Sequence, residues 1–246
     1  MQDEVRMQQQ YYMKTASRFE EWHHHEGDEH FFALGFLIGM IDYLKVESVL
    51  DVGSGTGRAV RYIKQRKPAV KVIGIEPVRE SREIGYQHGL SKSELIEGDA
   101  TSIAFGDGEF DLVCEFGALH HISNHQVAVS EMLRVAKKAI FISDCNNFGQ
   151  GSLMARTIKQ MVNAIGLWKV ADFIKTGGKG YDFSEGDGLT YSYSVFNDYR
   201  VIQKHCKSIH LLNTRAGGVN PYRSAGHVGL LGVKKECPVE TVKLLA

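Results

Sequence analysis

The sequence Val49-Leu50-Asp51-Val52-Gly53-Ser54-Gly55-Thr56-Gly57-Arg58 decides the fold of this chain. It begins as a short strand-like run and passes through three glycines at alternate positions. The segment that follows, Arg58 to Lys67, is typical of a helix and is ended by Pro68. Glycines in such a turn let the main chain approach a ligand closely, because no Cβ stands in the way. The stretch therefore predicts a strand, a ligand-binding turn and a helix in succession.

The spacing of the glycines separates the common classes of glycine-rich turn. A dinucleotide-binding turn has the pattern G-x-G-x-x-G, and in that register Arg58 stands where the third glycine belongs. A phosphate-binding P-loop needs Lys and then Ser or Thr after its last glycine, and Arg58 again fails the test. What remains is the pattern Asp-x-Gly-x-Gly-x-Gly, which begins at Asp51.

Strand-like and helix-like segments alternate on the C-terminal side of this turn. Strict alternation of this kind predicts right-handed crossovers and a parallel sheet. The predicted strands are 71–76, 94–97, 110–115 and 139–143, with two last strands at 208–212 and 227–233. The predicted helices are 78–89, 124–135, 153–167 and 196–206, with a loop or small cap at 177–194.

Three further patterns follow the glycine turn in order. Glu76 ends the second strand, Gly98-Asp99-Ala100 follows the third, and Phe110–Val113 with Phe116–Ile122 forms the fourth strand and the loop after it. Together with the glycine turn, these patterns resemble the class I S-adenosylmethionine-dependent methyltransferases that act on small molecules. The resemblance covers about residues 48 to 144 and weakens beyond Asp144.

The resemblance implies an α/β fold with a doubly wound, mostly parallel sheet of seven strands. The implied strand order is 3-2-1-4-5-7-6, with the seventh strand antiparallel and helices on both faces. We predict a single domain over 1–246, with an N-terminal helical cover at 1–44 and a cap insertion after strand five at 146–194. Ligands of such sheets bind outside the carboxyl ends of the strands, at the switch point between strands one and four.

The same resemblance implies S-adenosyl-L-methionine as cofactor and S-adenosyl-L-homocysteine as its product. In the family the glycine turn packs on the methionine part, an acid after strand two accepts from both ribose hydroxyls, and an acid after strand three accepts from the adenine amino group. The implied cofactor-binding residues are Asp51, Gly53, Ser54, Gly55, Gly57, Glu76, Pro77, Asp99, Ala100 and Phe116.

His120 and His121 are the candidate general bases, because they follow strand four beside the expected position of the donor methyl. One of two adjacent histidines can instead point into the packing. Asp144 ends strand five, where it would orient a histidine, bind substrate or simply cap the next turn. The candidate substrate-binding residues are Tyr12, Asn146, Tyr191, Arg215, Tyr222 and Arg223; for the arginines, ordinary surface charge is the alternative.

We predict no metal site. The histidines of His23–His25 are adjacent and would diverge on a helix, so a solvated polar face explains them and the neighbouring Asp28 and His30 better. None of the four cysteines forms a C-x-x-C pair.

Composition argues against two classes of partner. Lys+Arg and Asp+Glu both number 29, so no basic surplus points to nucleic acid. The longest apolar stretch, Phe31 to Ile41, is too short to span a membrane, and residues 1–10 lack the apolar core of a signal peptide. A cytoplasmic protein with no membrane partner is expected, and the choice between monomer and homodimer stays open.

The predicted function is methyl transfer to a small polar molecule, with an oxygen acceptor, for example on a sugar or another metabolite. The N-P-P-Y type sequence of amine methylation is absent after strand four, and a cap with several tyrosines suggests an enclosed pocket. The alternatives are an NAD-dependent oxidoreductase on a Rossmann fold, which the glycine spacing disfavours, and a catalytically silent cofactor-binding partner protein.

Overall fold

The computed structural model describes residues 28–215 and 217–235, together with Met7, Gln8, Gln10, Tyr11 and Thr15. Tyr12 and His23–His25 lie outside the described residues. The centre of the fold is a seven-stranded sheet, and a two-stranded hairpin stands apart from it. The strands are β1 (Ser48–Val52), β2 (Lys71–Ile75), β3 (Leu95–Ile96), β4 (Phe110–Phe116), β5 (Ala136–Cys145), β6 (Asp182–Ser184), β7 (Gly188–Thr190), β8 (Cys206–Asn213) and β9 (His227–Lys234).

The strand order of the large sheet is β3-β2-β1-β4-β5-β9-β8. Neighbouring strands from β3 to β5 pair in parallel, and β9 runs antiparallel to both β5 and β8. Since β8 and β9 are the sixth and seventh strands of this sheet along the chain, the predicted order with an antiparallel seventh strand is confirmed. The order reverses between β1 and β4, which is the switch point where open sheets bind their ligands.

Helices lie on both sides of the sheet and bury it in two apolar clusters. The strands are therefore shielded on both faces, which explains why β4 is a continuous run with six of its seven residues buried. The helices are α1 (Glu29–Tyr43), α2 (Arg58–Arg66), α3 (Arg79–Gln87), α4 (His125–Val135), α5 (Leu153–Ala164), α6 (Trp168–Lys175) and α7 (Tyr199–His205). Among the described residues, no helix has the length and the apolar character needed to cross a membrane.

The structure differs from the sequence prediction mainly at element ends and in the cap. Strand β3 has only two residues, while β5 extends further at both ends than the apolar run alone indicated. The segment 177–194, predicted as loop or small cap, contains the β6–β7 hairpin. Its turn is built from Ser184-Glu185-Gly186-Asp187-Gly188, and such glycine-rich turns are compatible with either a hairpin or a loop.

Candidate functional site

The glycine turn after β1 is held against the neighbouring strand. The backbone N–H groups of Gly53 and Ser54 both donate to the carbonyl of Ile75, at 2.9 and 3.0 Å. Gly53 and Gly55 have φ angles of +70° and +55°, which favour glycine. A Cβ on Gly53 would lie 2.4 Å from the Cβ of Ala118, whereas a Cβ on Gly55 would meet no atom within 4 Å. The turn thus packs tightly at Gly53 and borders open space at Gly55.

Glu76 joins this turn to the end of β2. One of its carboxylate oxygens accepts from the N–H of Gly55 and the other from the N–H of Val78, each at 2.9 Å. Burial raises the pKa of this carboxyl to about 7, although the two hydrogen bonds and the nearby Arg82 oppose the shift. Each carboxylate oxygen has a second lone pair, so the group retains capacity for the two hydroxyls of a ribose.

Asp51 and Ser54 brace the turn from within. Asp51 is buried and accepts a hydrogen bond from the Ser54 hydroxyl. Burial raises the pKa of Asp51 to about 6. The side chain of Asp51 is buried and would not contact a ligand directly. Its contribution to ligand binding is to hold the conformation of the turn.

The remaining residues expected at the nucleoside follow the carboxyl ends of β2 and β3. Pro77 is exposed, and Ala100 is buried. Asp99 is exposed, and its Oδ1 accepts from the N–H and the hydroxyl of Thr101 at 2.7 and 2.8 Å. These features fit a nucleoside with an amino-acid part, such as S-adenosylmethionine. The turn is open at Gly55, Glu76 has unused lone pairs, and Asp99 is exposed.

A cavity of about 480 Å³ lies beyond the carboxyl ends of β4 and β5. Phe116 and Gly117 border it on the side of the glycine turn, and the cap contributes residues from α6 to Tyr193. The polar side chains at its centre are His120, His121, Asp144 and Asp187, and its wall includes His30, Asn147, Thr190, Tyr191, Ser192, Arg215 and His227.

His120, which is partly exposed, and the fully buried Asp144 form a pair in this cavity. Nδ1 of His120 lies 2.7 Å from Oδ1 of Asp144, and the His120 N–H donates to Oδ2 at 3.2 Å. Burial lowers the pKa of His120, but the charge and hydrogen bond of Asp144, helped by Asp187, outweigh it and raise the pKa well above its ordinary value. Burial raises the pKa of Asp144, and the opposing charge of His120 brings it below its ordinary value. Both shifts favour the charged forms, an imidazolium and a carboxylate.

His121 differs from its neighbour in charge. Its Nδ1 lies 2.7 Å from the carbonyl oxygen of Leu189. Burial and the charge of His120 lower the pKa of His121 to about 4, so this imidazole is neutral. The short 3-10 turn Leu119–His121 brings the two rings to 4.0 Å between centroids, so these adjacent histidines converge.

Asp187 completes the polar centre, and sequence reasoning missed it. Its carboxylate oxygens lie 3.5 Å from Nε2 of His120 and 3.5 Å from Nε2 of His121. Ligating atoms of these three residues lie within 4.8 Å of one another, a spacing at which a cation could be held. The ion pair of Asp187 with the His120 imidazolium accounts for the same arrangement. The only sequence signal was an acid in a glycine-rich turn, which hairpins commonly contain.

Glu115 is a second residue that sequence reasoning missed. It is fully buried at the end of β4, where its oxygens accept from the N–H groups of Ala118 and Ser143. Burial, and then the charge of Asp144, raise its pKa well above the ordinary value. Glu115 thus braces the turn between Phe116 and His120, and an acid within an apolar strand was the signal that could have revealed it.

The candidate substrate-binding residues separate into two groups. Tyr191 and Arg215 line the cavity. Asn146 is fully buried, and its amide donates to the carbonyls of Pro221, Tyr222 and Ala225, a pattern that favours a structural role. The Tyr222 ring contacts Phe148 and Phe196, and Arg223 uses its carbonyl to accept from Gln160, so neither is among the residues that line this cavity.

Comparison with known protein families agrees with this geometry. The family described as methyltransferase domain matches residues 50–142, which run from β1 to β5 and contain the glycine turn, Glu76, Asp99 and both histidines.

The similar curated proteins match over less than half of the chain. Demethylmenaquinone methyltransferase of Thermotoga maritima is 28% identical over 102 residues, which are 42% of this chain and 44% of that protein. Norajmaline N-methyltransferase of Rauvolfia serpentina is 31% identical over 100 residues, which are 37% of this chain and 33% of that protein. The chain thus spans less than half the length of these relatives.

Solved structures extend the similarity of fold to almost the whole chain. A SAM-dependent methyltransferase from Thermotoga maritima has a TM-score of 0.57 at 17% identity and covers 92% of this chain and 99% of its own. A second, from Aquifex aeolicus, has a TM-score of 0.53 at 14% identity and covers 89% of this chain and 98% of its own. At these identities the likeness concerns the fold.

Proposed function

We propose that this chain, a class I S-adenosylmethionine-dependent methyltransferase, methylates a small polar molecule at an oxygen atom. The observation that carries the proposal is the His120–Asp144 pair, which stands in the 480 Å³ cavity beside Phe116. A hydroxyl acceptor must lose a proton during transfer, and an imidazole with a carboxylate on its far nitrogen is suited to accept one. The relatives are named for demethylmenaquinone and for N-methylation of norajmaline, so the choice of an oxygen acceptor rests on the His120–Asp144 pair.

The shape and polarity of the cavity support a small acceptor. The cap closes one side of the cavity, and hydroxyl, amide and guanidinium groups face it from Asn147, Thr190, Tyr191, Ser192 and Arg215. A site of this size with several convergent polar groups is typical of sites for small molecules. Arg215 would pair with the carboxylate or phosphate of an acidic acceptor.

The cofactor site that we propose lies next to this cavity. The backbone at Gly53, Ser54, Gly55 and Gly57 would face the amino-acid part, Glu76 the ribose, and Asp99 with Ala100 the adenine; Pro77 and Phe116 would border the nucleoside. Bound S-adenosylmethionine supplies an activated methyl group on a positively charged sulfur. The chain itself then needs to orient the acceptor and exclude water.

Asp144 is a positioning residue in this proposal. Its hydrogen bond fixes Nδ1 of His120. The other ring nitrogen, Nε2, would meet the acceptor hydroxyl, which would take the place of the Asp187 carboxylate. Nε2 of His120 is buried and has no hydrogen-bond partner among the described residues, with the Asp187 carboxylate 3.5 Å away. The imidazolium must first lose its proton to solvent, and the neutral ring can then take the proton of the acceptor hydroxyl. The rate is therefore expected to rise with pH.

A panel of hydroxyl, amine and thiol acceptors, assayed for S-adenosylhomocysteine formation, tests the proposal. Turnover with a hydroxyl compound, lost in His120→Gln, is the expected result. His125→Gln is the matched control, because His125 also pairs with a buried aspartate, Asp198 at 2.9 Å, but does not line the cavity. Turnover that survives His120→Gln contradicts the role of His120. Binding of S-adenosylhomocysteine without turnover on any acceptor favours a silent partner protein instead.

A further inference from the structure

The two helices of the cap expose their apolar side chains. Neither α5 nor α6 has a buried residue. The large apolar side chains that are more than half exposed here are Leu153, Met154, Ile158, Met161, Ile165, Leu167, Val170, Phe173, Ile174 and Phe183. We refer to these ten residues as the apolar cap face. Soluble monomers rarely expose so many large apolar residues next to one another, so this face requires a partner.

Helix α5 attaches to the body of the protein through its polar side. Lys159 donates to the carbonyl of Asn147, Gln160 donates to the carbonyls of Phe148 and Arg223, and Asn163 donates to the Tyr222 hydroxyl. Met154, Ile158, Met161 and Ile165 follow one another at spacings of three and four on the outer side. A helix on the surface of a globular protein normally has the opposite orientation, with its apolar stripe inward.

Helix α6 repeats this orientation. The indole N–H of Trp168 donates inward to the Ser192 hydroxyl at 3.0 Å, and the Trp168 ring contacts Phe148. Val170, Phe173 and Ile174 are exposed on the other side. Since α5 and α6 pack against each other, their outward stripes form one continuous surface.

The helical part of the cap has a surplus of basic residues. Residues 153–180 contain five basic residues and one acidic residue, and the hairpin that follows adds Asp182, Glu185 and Asp187. Asp187 lies at the cavity histidines, away from the two helices. Lys169, Lys175 and Lys179 are exposed, and of these Lys175 pairs with Asp182. A partner surface that is negatively charged and has an apolar layer beneath the charges would complement both the apolar stripe and the lysines beside it.

We propose that the apolar cap face docks on the surface of an anionic phospholipid bilayer. The α5 and α6 helices would lie in the plane of the interface, with their apolar side chains among the acyl chains and the lysines at the headgroups. This mode of binding requires no helix that spans the membrane, and it departs from the sequence-based expectation of no membrane partner. Lys175 and Asp182 border both this face and the cavity, so docking would bring the cavity entrance to the level of the headgroups.

Vesicle flotation with the full chain tests the proposal. Vesicles of phosphatidylcholine alone are compared with vesicles in which phosphatidylglycerol replaces about a third of the lipid. We expect flotation with the anionic vesicles, weakened by salt, and at least about tenfold weaker binding in the double variant Ile158→Glu/Phe173→Glu. The matched control is Val219→Glu, because Val219 is a fully exposed apolar residue outside the cap.

Two further variants test the lysines beside the apolar cap face. Lys169→Gln/Lys179→Gln is expected to reduce binding to the anionic vesicles and to leave the melting temperature unchanged, because both side chains are exposed. Ile158→Glu/Phe173→Glu should also melt like the wild type, since neither residue is buried.

Three outcomes would overturn the proposal. The first is absence of vesicle binding at low salt, and the second is equal binding by the cap variant and the wild type. The third is a dimer in sedimentation velocity that Ile158→Glu/Phe173→Glu dissociates, which would show that a second copy covers the face. None of these readouts depends on methyl transfer, so they are separate from the test of the proposed function.

Discussion

Affinity for the cofactor product is expected to depend on the ionisation of Glu76. Burial raises the pKa of this carboxyl to about 7, while its two oxygens keep lone pairs for ribose hydroxyls. Only the ionised carboxylate accepts from both hydroxyls, so S-adenosylhomocysteine should bind the ionised form preferentially. Affinity should therefore increase as the pH rises through 7, and binding should release protons.

The size of the effect follows from the ionised fraction. With a pKa of about 7, roughly a tenth of the carboxyl is ionised at pH 6 and roughly nine tenths at pH 8. If the competent form alone binds, the apparent Kd is divided by that fraction, and binding at pH 6 is about tenfold weaker than at pH 8. At pH 7 about half a proton should be released per ligand. Glu76→Gln removes a charged acceptor, which weakens binding at pH 8 by about 1.5–3 kcal/mol and removes the pH dependence.

Isothermal titration calorimetry between pH 6 and 8 measures the Kd, and repeating it in buffers of different ionisation enthalpy counts the protons. Glu97→Gln is the control, because Glu97 is a nearby acid whose side chain is 79% exposed and pairs with Arg82. The reasoning is refuted if the wild-type Kd does not change with pH, or if Glu76→Gln retains the wild-type slope.

The same ionisation affects the stability of the ligand-free protein. The folded-state pKa of Glu76 lies above the ordinary value of 4.5, so the proton binds more tightly to the folded chain. Stability is therefore greatest when the group is protonated and falls as the pH rises from about 4.5 to about 7, by roughly 3 kcal/mol. Urea unfolding at pH 5 and pH 8 should show this loss in the wild type and a smaller loss in Glu76→Gln.

Three further substitutions test the turn, the histidine pair and the loop behind the cavity. Gly55→Val should weaken S-adenosylhomocysteine binding at least about tenfold, because the positive φ disfavours valine and its side chain enters the open space beside the turn; an unchanged calorimetric Kd would contradict the site. Asp144→Asn removes the charge that raises the pKa of His120, so the rise of kcat with pH should move to lower pH while the maximal rate falls about 10²-fold; an unmoved profile would exclude this pair as the titrating group. Asn146→Ala should lower the free energy of unfolding by about 2–4 kcal/mol, since three carbonyls, one of them fully buried, lose their donor, and urea unfolding would show a smaller change if solvent replaces the amide.

The scaffold could be predicted from the sequence because its signals are local. The register of three glycines, an acid at the end of β2 and the alternation of strands and helices each depend on neighbouring residues. The strand order then followed from the resemblance of those patterns to a family, and it is confirmed.

The polar centre could not be predicted because it is assembled from distant segments. Asp187 comes from the cap hairpin and meets His120 across 67 positions of sequence, so no local pattern connects them. The convergence of His120 and His121 depends on a 3-10 turn, whereas the sequence left open that one of the two histidines points into the packing. The orientation of α5 was hidden for a related reason: its sequence is amphipathic, and only the hydrogen bonds of Lys159 and Gln160 show which side faces inward.

The cap and the histidines are connected directly, which ties the two proposals to one part of the molecule. The N–H of Tyr191 donates to the His120 carbonyl at 2.8 Å, and Nδ1 of His121 bonds to the Leu189 carbonyl at 2.7 Å. A displacement of the hairpin that follows α6 would therefore move both imidazoles or break these bonds. Contact of the apolar cap face with a surface acts on the same segment, because Phe183 lies in β6 of that hairpin. If docking repositions the hairpin, anionic vesicles should change kcat for a water-soluble acceptor, and Ile158→Glu/Phe173→Glu should abolish that change while leaving the rate without vesicles intact.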